Sequence, residues 1–233
     1  EHENDATDGE GGRFARFITE KGSQLAGFAL FEAIDQHFGS SEQIGWLGWP
    51  KDYQDPEHDA VRRFAAEHAR EVRFYMWLQW LCAEQLDKVQ QTAADAGVRL
   101  GIYGDLAVGV SRGSADTWQN RSNYCLDASI GAPPDPLGPL GQNWQLPPLH
   151  PVALQQTGFR AFIDLLRENM RLYGVLRIDH VMALSRLWWV VLGANAANGA
   201  YVHYPRGSLM VILALASHRQ QCVVIGEDLG TVP

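Results

Sequence analysis

Gly174-Val175-Leu176-Arg177-Ile178-Asp179 decides how the rest of the chain is understood: a short apolar run that ends on an acid. A run of this length, bounded by a glycine, has the character of a buried strand. Upstream, Val98–Leu106 has the same character and carries Asp105 near its end. Downstream, Cys222-Val223-Val224-Ile225-Gly226 runs into Glu227 and Asp228. A helical pattern at about 157–173 precedes the second run, and another at about 207–217 precedes the third. Strands alternating with helices predict parallel βαβ units. In a parallel α/β barrel the residues just past the strand C-termini gather on one face, so Asp105, Asp179 and Glu227 are expected to converge. A closed eight-unit barrel takes about 250 residues, and three units with a long helical stretch already occupy this chain. The predicted fold class is α/β: about three strands of a partial (β/α)8 TIM barrel with a helical insert subdomain.

Working back to the N-terminus, residues 1–13 (EHENDATDGEGGR) are acidic and glycine-containing, the composition of a flexible linker. From Phe14 the spacing turns helical, through Phe17 and Ile18 and then from Leu25 to Phe38, until Gly39-Ser40-Ser41 stops it. Residues 56–96 carry the strongest helix signal, opened by Pro56-Glu57 and closed by Gly97. Residues 14–97 are thus expected to form a helical subdomain and 98–233 the partial barrel. Residues 111–156 hold Pro133-Pro134-Asp135-Pro136, Gly138-Pro139 and Pro147-Pro148 and are expected to be mostly loop. A loop of that length is functional or disordered, and Trp118, Tyr124 and Trp144 argue against disorder. Trp188–Leu192 is short and apolar, and its class stays open.

The 233 residues are 46% hydrophobic and 20% charged, enough apolar material for a substantial core. A net charge of −8 without a Lys/Arg block excludes an electrostatic partner such as nucleic acid or an anionic membrane surface. Three cysteines without a CxxC spacing argue against a disulfide framework and a zinc site, and favour the cytoplasm. The longest apolar stretch, Leu209–Ala216, is far short of the roughly 20 residues a membrane span needs. No phosphate loop and no calcium or zinc ligand cluster is visible, so neither metal nor cofactor is expected.

Two strand-end carboxylates can serve glycoside chemistry, one attacking the anomeric carbon and the other protonating the leaving oxygen. Arg177, two residues before Asp179, points to the same side of its strand and can hold Asp179 as a charged nucleophile. His180 can hydrogen-bond a sugar hydroxyl. The alternative at each acid is capping of the following turn, the favoured reading for Asp228.

Gly174–His180 (GVLRIDH), Ile225–Gly230 (IGEDLG) and Gly101–Leu106 (GIYGDL), in the order they occur, closely resemble the amylomaltase family of 4-alpha-glucanotransferases, the disproportionating enzymes of the alpha-amylase clan. The segment around Pro133-Pro134-Asp135 with Gly141-Gln142-Asn143-Trp144 is similar to that family's long substrate loop. The resemblance runs from about Phe14 to the C-terminus. It implies transfer of a 1,4-alpha-glucan segment from a maltooligosaccharide donor to the 4-hydroxyl of glucose or a maltooligosaccharide, with retention. It implies Asp179 as nucleophile, Glu227 as general acid/base, and Arg177 as the partner of the nucleophile. Arg177, His180, Asp105, Gln142 and Trp144 are then expected on the substrate side. The family's third catalytic acid lies in a His-Asp motif further along than Glu227 and has no counterpart here. The resemblance thus describes an interior piece of a longer enzyme, expected to be inactive by itself.

Two other functions stay open: a retaining alpha-glucan hydrolase of the same clan, and a non-catalytic glucan-binding module built on tryptophan-rich loops. Trp46, Trp49, Trp118 and Trp144 lie in loop-like segments where flat rings can stack on sugars. Core packing is the competing reading, favoured for Trp46 and Trp118, and expected for Trp77, Trp80, Trp188 and Trp189. His37, His58, His68 and His218 are expected on solvated surfaces, while His150 and His203 have no assignment.

Overall fold

The computed structural model describes residues 9–39, 45–136 and 138–229. Along the chain come α1 (Glu10–Phe38), α2 (Asp59–Glu67), α3 (Ala69–Asp95), β1 (Tyr103–Leu106), α4 (Ala115–Gln119), β2 (Ala128–Ala132) and β3 (Gln142–Asn143). There follow α5 (Pro151–Gln156), α6 (Arg160–Met170), β4 (Val175–Ile178), β5 (Arg186–Val191), β6 (Ala200–His203), α7 (Arg206–Gln220) and β7 (Val223–Gly226). They fall into two compact units, one running to Leu86 and including Gly113–Gln119, the other made of Asp87–Arg112 and the chain from Asn120.

The first unit is helical. Glu10–Arg13, expected in a linker, form the first turn of α1 instead, where Glu10 faces the positive end of the helix; residues 1–8 lie outside the described residues. Gly39 ends α1 at φ +68, a conformation that suits glycine, while Ser40 and Ser41 lie outside the described residues. The expected helix over 56–96 is two helices, broken at His68, whose φ of −111 and ψ of 29 are non-helical. His58 caps α2, its Nδ1 accepting from the Ala60 N–H at 3.2 Å. Trp46, Trp49 and Trp118 are buried in the core of this unit, so none is free to stack on a sugar. Each indole N–H has a partner: Thr117 Oγ1 for Trp46, Asp35 Oδ1 for Trp49 and the Tyr53 carbonyl for Trp118. Buried tryptophan needs such a partner. Trp80 is buried as expected, whereas Trp77 is only half-buried and stacks on Phe74 at 6.2 Å. His37 and His68 lie edge to face at 5.3 Å, and His68 stacks on Phe64 at 4.1 Å, so these histidines have ring partners rather than plain solvation.

The second unit holds two sheets. One is parallel, in the order β1-β4-β7; the other is antiparallel, in the order β3-β2-β5-β6. This is an α/β fold with a three-stranded parallel sheet and helices. Only Tyr103–Leu106 of the expected run 98–106 is strand, because α3 ends in turns at Gly97 (φ +78) and Gly101 (φ +66). Residues 111–156 are mostly loop, as expected, but α4, α5 and the paired strands β2 and β3 are set into the segment, and β2 pairs in turn with β5. The apolar β5, Arg186–Val191, contains most of the unassigned Trp188–Leu192 and forms the centre of that sheet. Trp188 and Trp189 are half-buried on it rather than fully in the core. His150, without assignment in the sequence, caps α5 by accepting from Val152 N–H. The helix expected at 157–173 starts only at Arg160, after Gly158 and Phe159 take positive φ. Leu166 and Met170 of α6, Leu209 and Leu213 of α7, and Leu106, Leu176 and Ile178 of the strands form one core. Burying each such side chain contributes roughly 1.5–3 kcal/mol. Among the described residues, no helix is long and apolar enough to cross a membrane.

Candidate active site

The parallel register sets Asp105 opposite Arg177, and Arg177 opposite Ile225; one residue on, Leu106, Ile178 and Gly226 stand in line. Asp179 and Glu227 are therefore the next residues on two adjacent strands. Their main chains are held by continuing the ladder, since Asp179 N–H donates to the Leu106 carbonyl and Glu227 N–H to the Ile178 carbonyl, both at 3.0 Å. Side chains emerge at the strand ends from backbone that is already ordered, which lowers the entropy lost in positioning them.

Arg177 ties two carboxylates together. Its Nη1 lies 2.7 Å from both oxygens of Asp105, and its Nη2 lies 2.9 Å from Asp179 Oδ1. The Asp105 hydrogen bond, followed by the charges of Asp105, Asp179 and Glu227, holds the guanidinium above its ordinary pKa. A planar fork with several N–H donors is suited to this double task, which a lysine cannot copy. Asp105 spends both oxygens on Arg177 and so stands as a positioning group.

Glu227 is held from two sides. Its Oε2 accepts from the His180 N–H at 2.9 Å and its Oε1 from the Leu229 N–H at 2.6 Å. His180 sits at φ 51 and ψ 62, a left-handed conformation uncommon outside glycine. In that conformation the next residue, Val181, donates its N–H to the Glu227 carbonyl at 2.8 Å, so two consecutive amides close on one residue. The His180 ring stands edge to face against Trp144 at 5.2 Å. Burial lowers the His180 pKa, outweighing Glu227 and Asp179, whose charges raise it. The ring is thus neutral near neutral pH, able to donate from one nitrogen and accept at the other. Trp144 Nε1 donates to Gln142 Oε1 at 2.9 Å.

All seven residues singled out from the sequence, Asp105, Gln142, Trp144, Arg177, Asp179, His180 and Glu227, thus meet in one chain of contacts within the second unit. The sequence reading missed the Leu229 amide and Val181, which packs against Gly226: a Cβ on Gly226 would lie 2.8 Å from Val181 Cγ2. Main-chain donors have no residue signature, so neither had a signal to find. Among the described residues, no group of three or more His, Cys, Asp or Glu side chains is arranged to hold a metal ion.

Two carboxylates on adjacent strand ends of an α/β fold, with an arginine beside one of them, are an arrangement that glycoside chemistry can use. The comparisons make the class specific. The sequence pattern described as 4-alpha-glucanotransferase matches residues 1–233, and the chain belongs to that family. It is 52% identical over 225 residues to a 4-alpha-glucanotransferase of Haemophilus influenzae, covering 94% of this chain and 32% of that protein. The amylomaltase of Corynebacterium glutamicum superposes with a TM-score of 0.80 at 39% identity, over 95% of this chain and 29% of its own. The amylomaltase of Streptococcus agalactiae, solved in complex with acarbose, shares the fold with a TM-score of 0.84 at 23% identity, over 97% of this chain and 46% of its own. The chain spans about a third of the length of the curated relatives it matches most strongly.

Proposed function

We propose that these residues form the nucleophile and acid/base portion of a retaining 4-alpha-glucanotransferase of the relatives' length, here called the parent protein. In the first step an Asp179 oxygen attacks C1 of the donor glucan. The C1–O4 bond breaks and Glu227 passes its proton to O4, releasing the shortened glucan. In the second step Glu227 takes the proton from an acceptor 4-hydroxyl, whose oxygen attacks C1 and displaces Asp179. Two inversions give net retention. The carrying observation is the Arg177 guanidinium that joins Asp105 to Asp179 on the strand next to Glu227. His180 and the Trp144–Gln142 pair border the same edge and fit a role in holding sugar hydroxyls and a sugar face.

The parallel order β1-β4-β7 supports reading these strands as three of a (β/α)8 barrel, with residues 14–97 as a helical insert and 111–156 as the substrate-covering segment. The family's third acid would come from outside this chain, and the 233 residues alone are then inactive. Donors are maltooligosaccharides or longer alpha-glucans, and acceptors glucose or maltooligosaccharides. A reducing cytoplasmic setting fits Cys82, Cys125 and Cys222, all free thiols.

The test is disproportionation of maltotriose by the parent protein. Asp179→Asn and Glu227→Gln are each expected to abolish transfer while the melting temperature holds. Near wild-type transfer in either variant overturns the assignment.

A further inference from the structure

Behind Trp144 lies a hydrogen-bonded bulge that no step of the proposed reaction uses. β3 is two residues long, and successive side chains on a strand point to opposite faces. Gln142 shares a face with Trp144 and accepts its indole N–H at 2.9 Å. Asn143 points the other way, to the side of β2 that carries Ser129, and its Oδ1 lies 2.7 Å from Ser129 Oγ. Ser129 is 1% exposed, so its hydroxyl needs a partner inside the protein.

The pairing of β2 continues past Asn143. The Ile130 carbonyl accepts from the Trp144 N–H at 2.9 Å, and the Ile130 N–H donates to the Leu146 carbonyl at 2.8 Å. Between these two bonds the chain bulges through Gln145, which takes φ +61, a left-handed conformation uncommon outside glycine. Asn143 holds the bulge, its Oδ1 accepting the Gln145 N–H at 2.9 Å. A main-chain amide only donates, so this bond fixes which end of the Asn143 side chain faces Gln145. Ser129 then donates to the same oxygen. Its hydroxyl also lies 3.2 Å from the Ile130 carbonyl, a longer contact to an oxygen that Trp144 already uses.

One side-chain oxygen thus receives both a buried hydroxyl and the amide that follows Trp144. The Trp144 ring packs half-buried against the core of the second unit and stands edge to face with His180 at 5.2 Å. His180 in turn gives its N–H to Glu227. In the proposed reaction, water and an acceptor 4-hydroxyl compete for C1 of the sugar held on Asp179. Either one gives its proton to Glu227 as its oxygen bonds to C1 and Asp179 leaves. A ring fixed at the edge of the site excludes water, and one that swings away admits it. We propose, resting on the transferase reading above, that Asn143 is a positioning residue for Trp144. Through this ring it sets how the sugar–enzyme intermediate divides between acceptor and water, with the buried Ser129 as its anchor.

The test measures hydrolysis against transfer by the parent protein on maltotriose, with excess labelled glucose as acceptor. Asn143→Ala is expected to raise the share of hydrolysis about two- to tenfold, the shift that loss of one net hydrogen bond gives. Donor cleavage is expected to stay within about twofold, because Arg177, Asp179 and Glu227 keep their partners. Asn143→Asp, whose carboxylate oxygen accepts the same two donors, is expected to restore the wild-type ratio. In a Trp144→Ala background, Asn143→Ala is expected to add nothing, since its effect travels through that ring. An unchanged ratio in Asn143→Ala overturns the inference, as does full additivity with Trp144→Ala or a matching fall in donor cleavage. A ratio as altered in Asn143→Asp as in Asn143→Ala overturns it too. Should Asn143→Ala melt at a lower temperature than the wild type, Ser129→Ala decides by the same ratio. A wild type that only hydrolyses overturns the transferase reading and this inference with it. A wild type that transfers, beside an Asn143→Ala variant that partitions alike, overturns the inference alone.

Discussion

Arg177 and Asp179 leave the same side of one strand and meet through a hydrogen bond of 2.9 Å between Nη2 and Oδ1. The other arm of the guanidinium is already committed, with Nη1 at 2.7 Å from each oxygen of Asp105 on the neighbouring strand. The orientation of the proposed nucleophile thus depends on a carboxylate 74 positions earlier in the chain, brought alongside by parallel pairing of Asp105 with Arg177.

Asp105→Asn in the parent protein removes the charge that anchors Arg177 but keeps its size. The expected result is a fall in kcat of about 10²-fold, with donor KM changed far less, since misplacement of a reacting group costs turnover before binding. Arg177→Lys is expected to lose more, on the order of 10³-fold, because an ammonium cannot serve both carboxylates in one plane. Steady-state kinetics on maltotriose check both. Equal losses of affinity and turnover in Asp105→Asn would place that carboxylate on the sugar itself.

The ring of Trp144 borders His180 and is held by Gln142. Removing it opens the edge of the site to water. Trp144→Ala is expected to raise the share of hydrolysis over transfer several-fold, on the order expected when water exclusion is relaxed. Product analysis with excess glucose as acceptor measures the ratio directly. An unchanged ratio would confine Trp144 to packing.

Acidification should act through His180. Burial holds its pKa below the ordinary value of about 6.5, so the unfolded chain takes up a proton that the folded protein resists. The stability tied to the neutral ring is present above about pH 6.5 and is lost as pH falls through the window beneath it. His180→Asn, which tolerates the same left-handed backbone, removes this group from the balance. Melting temperatures recorded at about pH 7.5 and about pH 5.5 should therefore converge in the variant relative to wild type. An identical acid loss in both proteins would contradict the buried state of the ring.

Gly226 directly precedes Glu227 and lies against Val181. A Cβ at 2.8 Å from Val181 Cγ2 must move that side chain. Gly226→Ala is expected to cost about 1–3 kcal/mol, the usual range for overpacking, and to shift the His180 and Val181 amides that bind Glu227. Thermal unfolding and maltotriose turnover should fall together, and a stable, fully active variant would contradict the contact.

The parallel strands were legible because three short, largely apolar runs each carry an acid at or just past their ends, although Asp105 lies inside β1, and β7 is largely exposed where a buried strand was expected. The convergence of Asp105, Asp179 and Glu227 followed from parallel topology alone. Residues 111–156 were less legible, since β2 is the weakly patterned Ala128-Ser129-Ile130-Gly131-Ala132 and its partner β3 is two residues long. Such strands are held by pairing with Arg186–Val191, a relation between distant segments that no local period records. Trp46 and Trp118 are buried, core packing being the favoured reading for both, whereas Trp49, left open between stacking and packing, is buried by an aromatic cluster in which it meets Trp118 at 5.7 Å. The His180 and Val181 amides that hold Glu227 are set by the left-handed backbone of His180, which its neighbours in sequence do not announce.

The central claim is that Asp179 forms the covalent bond to sugar while Glu227 moves the proton. Incubating the Glu227→Gln parent protein with α-maltotriosyl fluoride tests it most directly, since fluoride leaves without a general acid and the amide cannot activate the next acceptor. Peptide mass spectrometry is expected to show a maltotriosyl adduct on the peptide carrying Asp179, and none when Asp179→Asn is added. An adduct on another carboxylate, or rapid turnover of the fluoride by the double variant, would contradict the account.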